Sequence, residues 1–509
     1  MSELPKGWEL CQLSDVVLPV SMIGTKVVDT DREILYVDIS SIDNRRQRIS
    51  DPKRLKMADA PARARQIIRT GDVLFSTVRP YLKNIAPVPA NLDGQIASTG
   101  FAVLRPAAGV VPAFLFFKTI SRDFVTALTG EQYGVSYPAV KEQQVTSQPF
   151  ALPPTTEQHR IVAKIEELFS ELDASEESLT RARAQLGLYR QSLLKAAFQG
   201  TLTADWRAAN PDKLETPEAL LARIRKERED RYRQALEDWQ TALSEWRAKG
   251  EEGRKPQKPG RPADLVLVAD SSLPQRWVCV KVEGVLSEPL SNGRSVKDRK
   301  GGFPVLRLSA FRDGRLDLSE KKDGDWNAEE AEPWIVKEGD FFAARGNGSK
   351  HLVGIGALAL NVELPVAYPD TMIRLSVDRH VIEPEYFGRV WNSRVMRDQI
   401  ERAARTTAGI YKINQPHICG FLLPLPSISE QGEIIARIEP ILSQIEHQER
   451  DLTDCLAKIA ALRQSILKKA FAGELVPQDP ADEPAAALLA RIREEREPSQ
   501  TIRKRRNVS

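Results

Sequence analysis

Cationic side chains are the densest candidates for chemistry in this sequence. Between Arg45 and Lys83 stand Arg45, Arg46, Arg48, Lys53, Arg54, Lys56, Arg63, Arg65, Arg69, Arg79 and Lys83, against only Asp51, Asp59 and Asp72. A second group, GRSVKDRKGG, supplies Arg294, Lys297, Arg299 and Lys300, and Arg312 and Arg315 follow it. Such clusters suit phosphate contacts, because each neutralised phosphate releases counterions and adds a salt-dependent increment to affinity. Arg, Lys, Asn and Gln near loops also read base edges in the major groove. A charge run alone more often marks a solvated face, so the clusters need a frame before they carry meaning.

No catalytic set competes with them. GNGSK at 346–350 lacks the spacing and the Gly-Lys pair of a phosphate-binding loop, and VGIGAL at 353–358 opens no dinucleotide fingerprint. The Asn-Pro-Pro-aromatic stretch of amino-methyltransferases is missing, as is the Asp followed by Glu-x-Lys of one nuclease class. His159, His351, His380, His417 and His447 have no matched ligand at helical spacing and read as solvent-facing or capping residues. Cys11, Cys279, Cys419 and Cys455 form no CxxC pair, so reduced, buried thiols are expected, with no metal and no cofactor.

The frame comes from length and self-similarity. At 509 residues the chain has room for three or four domains, and its net charge of +3 means that a polyanion must be met by local patches. With no long apolar run, neither a signal peptide nor a membrane span is expected, and the location expected is cytoplasmic. LLARIRKERE at 220–229 returns as LLARIREERE at 488–497, and 19 of 44 positions are identical between 157–200 and 430–473. Weaker echoes link LPKGWELCQLSDVV (4–17) to LPQRWVCVKVEGVL (273–286), and TGDVLFSTVR (70–79) to EGDFFAARG (338–346).

Within the strong repeats, Ile165, Leu172, Leu179, Leu186 and Leu193 recur every seven residues, as do Ile438, Ile445, Leu452, Ile459 and Ile466. Five heptads specify a supercoiling helix, and 43 residues make a rod of about 65 Å. Two such rods are natural partners for each other. Polar Ser175 and Gln448 on the seam are open to two readings, a register device or a weak layer. The remaining stretches hold short apolar runs (EILYVDI, DVLFSTV, FPVLRLS, GDFFAAR) broken by Pro, Gly and Asp. They read as strands of mixed α+β domains with helices over 112–129 and 384–403.

Taken together, the doubled LPP…EQ.RIV.KIE.L and LP….EQ.EII.RIE.I junctions and the RQS.LK.AF.G endings resemble the specificity subunits of Type I restriction–modification systems, over essentially the whole chain. The resemblance implies an α+β fold in which two α/β target recognition domains, 1–156 and 263–429, alternate with helical regions 157–262 and 430–509. The central region divides into a coil helix 157–199, an extra helix 217–249 without a repeat partner, and a linker 250–262. The two coil helices would pair as an antiparallel coiled coil with pseudo-two-fold repetition. It further implies no catalysis by this chain, recognition of double-stranded DNA in two half-sites, and docking of two methyltransferase subunits and, through them, motor-nuclease subunits. S-adenosylmethionine, ATP and Mg would belong to those partners.

Recognition domains on a rod would suit half-sites about one helical turn, roughly 34 Å, apart. By the resemblance YGVSYPAVK (133–141) and AGIYKIN (408–414) precede the coils. Tyr133, Ser136, Tyr137, Lys141, Tyr411, Lys412 and Asn414 are therefore expected near DNA, with Tyr81, Arg345, Asn347, Lys350 and the cationic clusters. Leu220, Leu221, Arg223, Ile224, Leu488, Leu489, Arg491 and Ile492 are expected at partner contacts, the plainer reading being a brace for the coil. Rival readings are a coiled-coil scaffold that does not bind DNA, a fused modification or nuclease enzyme, and a related subunit whose partner unites methylation and cleavage.

Overall fold

A helix with one apolar stripe has to bury it against a second element, and the two heptad segments do this to each other. The computed structural model describes residues 4–24, 31–130, 139–253, 255–261, 267–268, 270, 272–407 and 409–506. The first coil helix is Thr155–Phe198 and the second Ile428–Phe471, each of 44 residues. All ten seam residues are buried or half-buried. Arg190 pairs with Glu449 at 3.0 Å, and its repeat equivalent Arg463 pairs with Glu176, the equivalent of Glu449, also at 3.0 Å. Arg463 also reaches Asp173 and lies over the Phe169 ring, while Ile161 and Ile165 share a core with Leu467 and Ala470. Those contacts run antiparallel. Ser175 donates to Glu171 O of its own helix at 2.9 Å, so it makes a weak layer and not a bond across the seam. Cys455 on the second helix is exposed and Cys419 half-buried, which corrects the expectation of four buried thiols; Cys11 and Cys279 are buried, and burial pushes their pKa values up to about 12 and about 11.

The chain folds as two compact units, 1–181 with 452–509, and 182–451. In the first, Val73–Ser76 and Phe101–Pro106 pair antiparallel at the centre of a four-stranded sheet flanked by Val17–Leu18 and Ile85–Pro87. Their side chains alternate between two cores, which is why they read as unbroken apolar runs. Val73, Phe75, Ala102 and Leu104 face the helices, and Leu74, Phe101 and Val103 face the other side. A second four-stranded sheet contains Lys53–Lys56, Glu33–Val37, Ile96–Ser98 and Ala64–Ile67. In unit 182–451 a six-stranded sheet repeats the frame: Phe341 and Ala343 face one core, Phe342 the other, and the pairing partner is Met372–Leu375. The two expected single helices are each broken in two, Pro112–Ile120 with Arg122–Thr129 and Pro384–Trp391 with Arg394–Ala403. Ser121 and Ser393 stand at the breaks as N-caps, and the Ser121 hydroxyl accepts from Phe124 N.

The repeated residues recur as repeated devices. Gln158, fully buried, accepts from Val111 N at 2.8 Å and donates to Pro153 O at 3.0 Å. Gln431 accepts from Glu383 N at 2.8 Å and donates to Pro426 O at 2.9 Å. Each clamps the start of a helix of the α/β domain to the start of a coil helix. The glycine ending each coil helix, Gly200 (φ 75°) and Gly473 (φ 74°), is left-handed, and an added Cβ would collide with Pro274 and Pro5 respectively. The C-terminal helix Ala485–Arg506 thereby returns to the N-terminal domain, where Ala485 N donates to Gly7 O and Arg496 to Ser14 O, both at 2.8 Å.

The buried glutamates beside those glutamines are unequal. Glu430 is fully buried and accepts from Trp277 Nε1 at 2.9 Å and Thr203 Oγ1 at 2.7 Å, and the Arg207 guanidinium closes on it. Glu157 keeps one buried oxygen without a close partner, and burial pushes its carboxyl above the usual range although Trp8, Arg160 and Gln478 lie near enough to favour its charge. Replacing Glu430 by Ala is expected to destabilise its unit by about 3 kcal/mol, since it strands Arg207. Glu157→Gln is expected to raise stability at neutral pH. A raised carboxyl pKa penalises the folded state as pH climbs past about 4.3, so that advantage fades as pH falls below this value. Calorimetric melting of the variants from pH 4 to pH 7, against wild type, checks both; a Glu157→Gln advantage that persists at the acid end would contradict the assignment.

Candidate nucleic-acid interface

In the first unit two turns lock together to present cations. The hairpin of Ile42–Asp43 and Arg48–Ile49 carries Arg45 and Arg46 at its tip, and Asp43 Oδ1 accepts both their N–H groups, at 3.0 and 3.1 Å. Those bonds, that from Arg46 foremost, hold the Asp43 carboxyl below its ordinary range. Asn44 donates to Leu82 O at 2.9 Å and Gln47 to Lys83 O at 3.1 Å, joining the hairpin to the turn 79–83. Gln47, Arg79 and Lys83 are left-handed, with φ of 52°, 50° and 52°, and strain of this kind in non-glycine residues concentrates at functional sites. On this surface Arg45, Arg46, Arg48 and Tyr81 are exposed, Tyr81 by 52%.

The cationic run is not one surface. Lys53, Arg54 and Lys56 lie on a strand beside Glu33–Val37 and face Asp38, Glu33 and Asp31, the last two at 3.2 and 3.3 Å. Arg65 turns back to Ala62 O at 3.0 Å, and Arg63 is exposed on the adjoining turn. Lys141 is exposed at the N-terminus of the helix Glu142–Thr146. Val140 N donates to Thr77 O at 2.9 Å, which brings the end of the expected loop beside Arg79. Tyr133, Ser136 and Tyr137 lie outside the described residues.

In the second unit the same frame holds different side chains. Ile413 N donates to Arg345 O at 3.0 Å, matching Val140 and Thr77. Arg345 therefore occupies the place of Thr77, and Asn347 that of Arg79. Gly346–Asn347 pairs with Ile410–Lys412, backed by Arg405–Thr407, so that Arg345, Asn347, Tyr411 and Lys412 converge, with exposed Lys350 on the next turn. Sequence reasoning did not single out Arg405, whose strand only the pairing reveals. Asn414 is exposed, but its side chain accepts from His417 N at 2.9 Å and caps the helix Gln415–Gly420.

The other cations of this domain stand elsewhere. Arg294 stacks on Trp334 with its guanidinium carbon 5.6 Å from the ring centroid, Lys297 and Lys300 are exposed, and Arg299 pairs with Asp325 at 2.9 Å beside the arm Asp298–Leu306 with Lys321–Gly324. Arg312 is held by Asp317 at 3.3 Å and Glu320 at 3.0 Å on the last strand of the six-stranded sheet, and Arg315 faces Glu439.

The expected partner contacts need correction. Leu220 and Ile224 are buried in the core of unit 182–451, Leu221 is also buried, and Leu488, Leu489 and Ile492 are buried in the core of the other unit. Their apolar spacing is satisfied inside the chain, so these six act as braces. Arg223 chelates Glu215 at 2.7 Å and reaches His380 O, while Arg491 holds Glu483, eight residues back in each case. The extra helix runs on within Pro217–Ala248, ties Arg231 to Asp378 at 2.6 Å, and receives the following chain along its side, Trp239 Nε1 donating to Pro256 O at 3.1 Å.

Each unit thus sets an α/β domain against the end of a coil helix and a returning brace helix, one frame built twice in the same chain. The chain is similar to the specificity subunits of Type I restriction enzymes, as its sequence motifs indicated. It is 26% identical over 407 residues to the EcoKI specificity subunit of Escherichia coli K12, covering 77% of this chain and 74% of that one. To the StySPI specificity subunit of Salmonella potsdam it is 25% identical, covering 77% and 73%. A solved chain described under complex assembly and conformational transition of the type I R-M system superposes with a TM-score of 0.64 at 26% identity, covering 93% of this chain and all of that one. No family model matches the sequence. Among the described residues no helix is long and apolar enough to cross a membrane.

The geometry separates exposed cations from paired ones. Replacing Arg45 and Arg46 by Ala is expected to weaken binding to a duplex DNA probe and lower the log–log salt slope by about two units. Replacing Lys53 and Arg54 is expected to change the slope by less than about one unit, because nearby carboxylates already neutralise them. Titrations at four salt concentrations separate the two pairs, and equal losses would contradict the division.

Proposed function

We propose that this chain is the non-catalytic DNA specificity subunit of a Type I restriction–modification assembly. It reads an asymmetric, two-part sequence in double-stranded DNA with its two recognition domains. It docks two copies of a methyltransferase subunit, which hold S-adenosylmethionine, and through them motor-nuclease subunits that use ATP and Mg. The observation that carries the reading is one frame filled with two sets of side chains: Thr77 and Arg79 in one domain, Arg345 and Asn347 in the other. A shared backbone with unlike edges suits two different half-sites.

A second observation supports the two like partners. Ala163, Ser170, Thr180 and Ala184 of the first coil helix are identical to Ala436, Ser443, Thr453 and Ala457 of the second, and all eight are exposed. They lie on the exposed surface of the coil helices, outside the apolar seam. Alanine has helix propensity in its favour, but serine and threonine do not. Two identical outward faces suit two copies of one partner.

The test is genome-wide adenine methylation with this gene intact, deleted, and complemented by a variant carrying Ala184→Arg and Ala457→Arg. Deletion is expected to abolish methylation at one two-part motif. The variant is expected to do the same while melting like the wild type. Unchanged methylation on deletion would overturn the specificity reading. Normal methylation by the variant would move the docking face elsewhere. A co-purifying partner that both methylates and cleaves would assign the chain to a related system instead.

A further inference from the structure

In both units the segment after the central strand, which carries reading side chains, is fastened to the neighbouring helix pair by a cation withdrawn from solvent. The fastening runs in opposite directions. In the first unit the segment supplies it: half-buried Lys83 extends Nζ to Ile120 O at 3.2 Å. Ile120 ends the helix Pro112–Ile120, whose last carbonyls lack donors within the helix and mark the negative end of its dipole. In the second unit the helix supplies it: Arg397, 8% exposed, donates from Nη2 to His351 O at 3.0 Å.

Arg397 stands in the first turn of Arg394–Ala403, a position that disfavours a cation. Its Nη1 is buried without a partner, and the nearest paired acid, Glu401, is 3.7 Å away. Counted from the capping serines Ser121 and Ser393, its equivalent in the first domain is Val125, an apolar core residue. The two fastenings therefore use different elements of one frame.

We propose that Lys83 and Arg397 are positioning residues for base reading, each fixing the segment that presents Arg79 and Tyr81, or Asn347 and Lys350, to DNA. This rests on the DNA-specificity function proposed above. A neutral donor would fasten either segment without burying charge. Burial pushes the pKa of Lys83 down, aided by Arg122, and burial chiefly lowers that of Arg397, so each charge is unfavourable in the free protein. Neither cation has to touch DNA, because each acts through the segment it fastens.

The experiment uses the assembled complex with wild type, Lys83→Met, Arg397→Met and Arg397→Lys chains. Binding is measured to duplexes bearing the mapped motif, the motif with one half scrambled, and the motif with the other half scrambled, each at several salt concentrations. Lys83→Met is expected to reduce discrimination at one half-site by about tenfold or more, the size of a lost base contact. Arg397→Met should do so at the other half-site only, Arg397→Lys should restore part of it, and the salt slope should not change. A slope reduced by about one unit, or equal loss at both halves, overturns positioning in favour of direct phosphate contact or general destabilisation.

Amide hydrogen exchange of the DNA-free proteins supplies the independent arm. Exchange in 77–84 should quicken only in Lys83→Met, and in 348–354 only in the Arg397 variants. Unchanged exchange overturns the fastening itself. If the wild-type assembly discriminates no motif, the specificity function fails, and the exchange arm still decides whether the two cations hold their segments.

Discussion

Everything in this chain depends on two long helices that cannot remain alone. Each carries an apolar seam through 44 residues of otherwise charged surface, and only the other offers a matching seam. The reciprocal pairs Arg190–Glu449 and Arg463–Glu176 fix how they meet: the same two residue types, 14 apart on each helix, answer each other only when the helices run antiparallel. The energy lies in the burial of Ile165, Ile438 and Ile445 more than in these part-exposed ion pairs, which set register. From that pairing follow the glycines that end the helices against Pro274 and Pro5, and the brace helices that turn back from them.

Within each unit, a rigid frame frees the edges to differ. The central strands are buried on both faces, so their residues are constrained to be apolar and small enough to pack. The residues just past the strand ends are not. The backbone bonds from Val140 to Thr77 and from Ile413 to Arg345 hold those ends in one geometry, while the side chains they present have diverged. An arrangement that conserves backbone contacts and releases side chains is what a protein needs when its ligand is read by side chains.

Charge is used in two distinct ways in these domains. Lys53, Arg54, Lys56, Arg299 and Arg312 stand beside carboxylates and add little net field, whereas Arg45, Arg46, Arg48 and Lys300 face solvent. A count of cations along the sequence merges the two populations, because the carboxylates that neutralise the first group lie up to 26 positions away along the chain. Asp31 and Glu33 become neighbours of Lys56 and Arg54 only when the two strands pair.

The sequence by itself determined the repeat, the coil helices and their seams, because periodicity is a local property that folding preserves. It also determined the central strands, whose apolar runs demand burial on both faces. The breaks at Ser121 and Ser393 escaped notice because a serine inside a helical pattern breaks or continues it according to its surroundings. Tertiary structure alone decided the fate of LLARIR: the same Leu and Ile spacing serves a partner or a core, and which one depends on whether Trp8 and Phe150, or Trp277 and Phe387, are already there to receive it. It also decided that Arg345 stands where Thr77 does, and that Lys83 and Arg397 perform one task from opposite sides. Such relations depend on which distant segments are brought within bonding distance, and spacing along a chain does not encode that.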